Sequence, residues 1–316
     1  QDGRFRVTLE GGLPIDIRVS IAPTYYGENA VLRLLSEHGE KFTLEMLGFG
    51  EAERAKVLQT IKRPHGMILA TGPTGSGNTT TLYSILKMLH APGVSIITIE
   101  DPIEYSVPGI NQIQVNARTG LTFANGLRSI LRQDPDIIMV GEIRDAETAA
   151  LAVNTALTGH LVLTTLHTTD AATTLPRLID LGLEPYLITA TVNLAIGQRL
   201  VRTICSACRA KHVLSKEERD RLVATPNIPT LDPEKPVFRG KGCEVCSNTG
   251  YRGRIAIAEV MVLDDTIRDA MFRRASANEI GGLARTRGMT TMVEDGFRKV
   301  AAGLTTIEEV LRVIHE

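Results

Sequence analysis

The chain contains no tryptophan, and aromatic residues make up only 4% of its 316 positions. That scarcity argues against a stacking platform for single-stranded nucleic acid, which needs aromatic faces. An excess of either charge is also missing: 35 Lys and Arg stand against 36 Asp and Glu, for a formal net charge of −1. This balance gives no general attraction to nucleic acid or anionic lipid, so no nucleic-acid partner is expected. No apolar run is long enough to span a bilayer, and no signal-peptide pattern stands at the start. With 43% hydrophobic and 22% charged residues, the composition is that of a soluble globular protein. The length predicts two domains with an ample core. The first residue is Gln1 rather than Met, from which a fragment lacking preceding sequence is expected.

One further absence is local. Gly72-Pro73-Thr74-Gly75-Ser76-Gly77-Asn78-Thr79 fits the phosphate-binding pattern G-x-x-x-x-G-K-[ST] except that Asn78 stands where lysine belongs. The flanks fit the motif. Gly66–Thr71 reads as a short buried strand entering the loop, and Thr79–His90, beginning Thr79-Thr80, as the helix leaving it. Glycines let backbone N–H groups close around phosphates, and the helix N-terminus adds partial positive charge. The Thr79 hydroxyl is the expected Mg2+ ligand. ATP is therefore expected here. Asn78 can donate hydrogen bonds but lacks the full charge of lysine at the β/γ-phosphates, which puts hydrolysis in question.

Residues 1–35 alternate apolar and polar and predict three strands, Phe5–Glu10, Ile15–Ser20 and Val31–Leu35, with Gly11-Gly12 as a turn. Three strands are too few for a stable domain, so they are expected to be part of a larger β domain. Residues 36–48 read as a linker with one short helix. Residues 49–200 alternate strands and helices, which predicts a parallel sheet covered on both faces. Residues 201–260 hold all four cysteines, and 264–316 have helical spacing. Within the α/β segment, Ile96–Ile99 runs into Glu100, Asp101 and Glu104, and Ile137–Val140 runs through Gly141 into Glu142. Ligands sit at the carboxyl ends of parallel strands, so both acidic clusters are expected beside the phosphate loop, placing Mg2+ and orienting the attacking water. A third strand, Leu161–Leu166, is flanked by His160 and His167. Singly these read as structural histidines, but beside a γ-phosphate one could sense the nucleotide state.

These motifs together resemble those of the traffic ATPases of type II secretion and type IV pilus assembly. Thr98–Tyr105 (TIEDPIEY) is similar to that family's aspartate box, Asp134–Asp145 (DPDIIMVGEIRD) to its atypical second nucleotide motif, and Thr158–Asp170 (TGHLVLTTLHTTD) to its histidine box. The resemblance covers essentially the whole chain. It implies a RecA-like P-loop domain over residues 49–316, joined to a partial PAS-like β segment over 1–35. It also implies a homohexameric ring in the cytoplasm, peripheral at the inner membrane through platform and docking proteins. Glu100, Asp101 and Glu104 fall on the acidic box, Glu142 on the catalytic glutamate, and Arg18 and Arg33 on paired arginine fingers. The arginines are expected to complete a neighbouring subunit's site. From alternation alone, each would be a solvent-facing strand residue.

The cysteines form Cys205-x-x-Cys208 and Cys243-x-x-Cys246, with 34 residues between the pairs. Two such knuckles can give Zn2+ four thiolates. The long gap calls for an inserted helix, predicted to start near Ser215. Free thiols, two disulfides or a redox pair are the alternatives, disulfides being rare in cytosolic proteins. By resemblance, a tetracysteine module marks secretion and pilus-assembly motors and is missing from retraction motors. Two readings stay open: a motor ATPase, and a ring subunit that binds nucleotide but hydrolyses it poorly.

Overall fold

The computed structural model describes residues 2–8, 14–36, 42–215 and 236–315. The Gly11-Gly12 turn, residues 37–41 of the linker and the helix predicted beyond Ser215 lie outside them.

At the amino end, β1 (Asp2–Thr8), β2 (Pro14–Thr24) and β3 (Gly27–Ser36) form an antiparallel sheet in that order. Arg4, Arg18 and Arg33 are opposite one another in register. Period-two alternation therefore places Arg18 and Arg33 on one face and the Phe5, Ile17 and Leu34 positions on the other. Helix α1 (Leu44–Leu47), the short helix expected before residue 48, is capped by Thr43 Oγ1 and closed by Gly48 in the left-handed region, at φ 102°.

The main body is a seven-stranded sheet. Its strands are β4 (Gly66–Thr71), β5 (Ile96–Glu100), β6 (Asn111–Gln114), β7 (Ile137–Val140), β8 (Leu161–Leu166), β9 (Val192–Ile204) and β12 (Tyr251–Val262). The spatial order is β12-β9-β4-β8-β7-β5-β6, parallel throughout except for the antiparallel edge pair β9–β12. Strands β4, β5, β7 and β8 are buried along their whole length. This is why they read as unbroken apolar runs, since a parallel sheet must be covered on both faces. The sheet continues past residue 200, taking in β9 and β12 on either side of the first cysteine pair. Between those two strands, β10 (Arg209–His212) and β11 (Val237–Gly240) pair as a small ribbon.

Helices α2 (Glu51–Thr60) and α3 (Asn78–Leu89) cover one face with Val57, Leu82, Ile85 and Leu86. The other face is covered by α4 (Phe123–Ile130), α5 (Ala146–Leu157), α6 (Thr174–Asp180), α7 (Pro185–Thr191), α8 (Asp265–Phe272) and α9 (Ala277–Thr286). Helices α10 (Met292–Ala301) and α11 (Ile307–His315) add a third cluster, with Phe297, Val300 and Val310 against Val201 and Ile257. Each fully buried Leu, Ile or Val contributes about 1.5–3 kcal/mol relative to exposure. The result is a mixed α/β fold with a helical carboxyl end.

Candidate functional site

The carboxyl ends of β4, β5, β7 and β8 meet at one edge of the sheet, around a cleft of about 700 Å³. The phosphate loop forms one wall: Pro73, Thr74, Gly75, Ser76, Gly77, Asn78, Thr79 and Thr80 all line it, with Gly72 behind. Gly72, Gly75 and Gly77 have φ of 155°, 85° and 90°, a region that disfavours any side chain. A Cβ at Gly72 would also lie 2.6 Å from the Gln198 carbonyl oxygen, and one at Gly77 3.0 Å from Gln198 Nε2.

Asn78 opens α3 and is buried at 8% exposure. With its amide nitrogen turned toward the loop, it donates to the Thr71 carbonyl at 3.2 Å and to Ser76 Oγ at 3.0 Å. The side chain is thus folded back on its own loop, and its donors are spent on protein acceptors.

The two acid-ended strands differ. Glu100 is enclosed: Tyr83 Oη and Thr98 Oγ1 donate to its carboxylate, as does Gln112 Nε2 at 3.1 Å. Burial pushes its pKa up, against the effect of those donors. Asp101 and Glu104, just beyond, line the cleft. Glu142 is held on both oxygens, by Arg144 Nη2 at 2.6 Å and His167 Nε2 at 2.8 Å. The Glu142 hydrogen bond holds the Arg144 guanidinium above its ordinary pKa. Asp145, last residue of the same motif, is spent as the N-cap of α5, accepting from Thr148 N at 2.7 Å.

The two histidines separate. His167 sits on Glu142 at the carboxyl end of β8. His160 is at the other end of that six-residue strand, with Nδ1 3.0 Å from the Thr155 carbonyl. The loop after His167 is tied to the phosphate strand, because Thr168 N donates to Thr71 Oγ1 at 3.0 Å.

Arg18 and Arg33, from β2 and β3, line the cleft of this same chain. Arg144 and Arg254 also line the cleft and were missed from sequence. Arg144 could have been found as the basic residue two positions after Glu142. Arg254 carries no local signal, since β12 is joined to the site only by the sheet.

About the first cysteine pair, Cys205 Sγ lies 3.9 Å from Cys243 Sγ, Cys208 Sγ 3.9 Å from Cys246 Sγ, and Cys243 Sγ 3.7 Å from Cys246 Sγ. All four sulfurs fall within 4.8 Å of one another, and none is in a disulfide. Tetrahedral Zn–S bonds of about 2.3 Å would space the sulfurs about 3.8 Å apart. The donor set therefore fits zinc. Cys243 N and Gly250 N each donate to Cys246 Sγ at 3.3 Å, which stabilises a thiolate.

A strand, a glycine loop and a helix N-terminus opening on a cleft of carboxylates and arginines define a P-loop nucleotide-binding domain. Comparison with known proteins narrows this class. The chain belongs to the type II/IV secretion system protein family, whose model matches residues 1–312. It is 48% identical over 316 residues to the type II secretion system protein HxcR of Pseudomonas aeruginosa, covering 100% of this chain and 62% of that one. It is 49% identical over 312 residues to the type IV pilus assembly ATPase PilB of Thermus thermophilus, covering 98% of this chain and 34% of that one. The chain thus spans only part of the length of these relatives. The fold is similar to that of the pilus retraction motor PilT with bound ADP, at 28% identity and a TM-score of 0.70, covering 99% of this chain and 77% of that one.

Proposed function

We propose that the protein is a motor ATPase of a type II secretion or type IV pilus assembly machine, working as a hexameric ring, with hydrolysis impaired by Asn78. The reading rests on one observation: the phosphate loop faces Glu142, held by Arg144 and His167, across a cleft also lined by Arg18 and Arg33. Thr79 and the carboxylates at the end of β5 form an oxygen-only donor set, which suits Mg2+. Mg2+ held by these residues would neutralise charge on the phosphates. Glu142 takes the proton of the attacking water, and His167 with Arg144 fixes its orientation. Arg18 and Arg33 of the small sheet meet charge developing at the γ-phosphate, lent to a neighbouring subunit's site in the ring. The four thiols would hold one structural Zn2+, leaving no open position for chemistry.

Binding survives the loss of lysine because four arginines and the loop N–H groups still face the phosphates. Turnover is impaired more, because lysine's charge counts most as charge moves onto the γ-phosphate. The folded-back Asn78 amide also favours a second reading, a ring subunit that binds nucleotide without hydrolysing it. Phosphate release from this chain and its Asn78→Lys form, beside Mg-ATP binding to both, tests the proposal. Binding by both is expected, with turnover raised roughly 10²-fold by lysine, the scale of one preorganised transition-state donor. Equal turnover would defeat the assignment of Asn78, and no turnover in either would favour the second reading.

A further inference from the structure

Gln198 interrupts an apolar stretch of β9 and is buried at 1% exposure. A buried amide needs partners, and this one has them on the phosphate loop. Its Nε2 donates to the Ser76 carbonyl at 2.7 Å, and its Oε1 accepts from Thr81 Oγ1 at 2.8 Å, on the first turn of α3. Contact with the loop continues at the glycines. The Gln198 carbonyl fills the space a Cβ would need at Gly72, and its amide nitrogen the space needed at Gly77. Gln198 therefore packs against both motif glycines, crowding Gly72 together with Ser76 and approaching Gly77 closely, while their backbone angles already favour glycine.

We propose that Gln198 is a positioning residue for the phosphate loop, setting its affinity for the phosphate chain of a nucleoside di- or triphosphate. The peptide unit is planar and trans, so C=O and N–H point in opposite directions. Holding the Ser76 carbonyl on β9 turns the Gly77 N–H away from β9, to the side where the loop lines the cleft. With asparagine in place of lysine, backbone N–H groups carry a larger share of phosphate binding, and their prior alignment counts for more. Glutamate would present a second acceptor to the Ser76 carbonyl, and methionine would leave that buried carbonyl without its donor.

The inference rests on the reading of the cleft as a nucleotide site, and its test has one arm independent of nucleotide. Amide hydrogen exchange is measured on the nucleotide-free chain, and Mg-ADP and adenosine binding by calorimetry. Gln198→Met is expected to speed exchange at residues 76–79 about tenfold. It should weaken Mg-ADP about tenfold, or about 1.4 kcal/mol, with adenosine unchanged, because adenosine does not use the loop. Thr81→Val, which removes only the hydroxyl partner, should act in the same direction more weakly, and the double variant should be no worse than Gln198→Met alone. If Gln198→Met fails to fold, Thr81→Val decides by the same two readouts. Parent-like exchange at 76–79 in a folded variant would overturn the inference, as would equal losses for Mg-ADP and adenosine. Failure of the parent chain to bind Mg-ADP would count against the nucleotide reading, while the exchange arm still decides the role of Gln198.

Discussion

The cleft and the four-cysteine cluster are both assembled from residues far apart in the chain, yet they use their donor atoms in opposite ways. In the cluster, each sulfur faces the others, and two backbone N–H groups are committed to Cys246. In the cleft, the loop, Asp101, Glu104 and four arginines line open space. A closed donor set holds one ion and resists exchange, whereas an open one admits a ligand and can release it. The same contrast occurs on a smaller scale inside the cleft. Glu100 is caged by three donors, and Glu142 is held by two groups at the solvent edge.

The sharpest break between the two sites should come from Glu142→Gln in the Asn78→Lys background. Turnover is expected to fall by about 10²-fold or more, the scale of losing a general base, with one zinc per chain retained by metal analysis. Loss of zinc together with turnover would mean that the two sites are not independent. A smaller effect is expected from the other side. Cys205→Ser, or chelation, should remove the zinc and open residues 201–215 and 236–250 to limited proteolysis, since a structural site contributes its binding energy to folding. Mg-ADP affinity should stay within about twofold. A large affinity loss would show that the cluster supports the phosphate loop.

The smallest effect concerns Glu259 on β12, a buried carboxylate outside both sites. It accepts from Ala171 N at 2.7 Å and Met292 N at 3.3 Å, over the vacant side of Gly197. Burial raises its pKa from 4.5 to about 7, with Asp170 adding to the rise and Arg199 opposing it. A carboxyl raised on folding contributes stability that is full below the unfolded pKa and is lost as pH rises through the folded one. Stability from this group should therefore fall between pH 4.5 and about 7. Glu259→Gln should lack that fall, so its Tm relative to the parent should climb across the window and level off above it. A constant difference would refute the assignment.

Much of the cleft was legible in the sequence because its parts are local. Gly66–Thr71 and Leu161–Leu166 are apolar runs with sharp ends, and both strands have those bounds. Glu142 and His167 follow such runs directly. Gln198, Tyr83 and Gln112 act through partners 12 to 122 residues away, and no periodicity marks such a distance. A visible clue was a polar residue inside an apolar strand, as at Gln198 and Glu259. The antiparallel β12 was hidden for another reason: its pairing is with β9, across the cysteine segment, and was masked by reading 201–260 as one module.

Strand β9 has a mechanical consequence. It runs 13 residues, from Val192 to Ile204, with Gln198 on the phosphate loop and Cys205 immediately after its end. An extended chain advances about 3.3 Å per residue, so the seven steps from Gln198 to Cys205 span roughly 23 Å. Over that length β9 is paired with β12, its ladder with β4 ending at Gly197. The strand is thus clamped between two neighbours at the phosphate-loop end and laddered to one toward the knuckle, so a displacement at the loop is taken up along the strand before it reaches the cysteines.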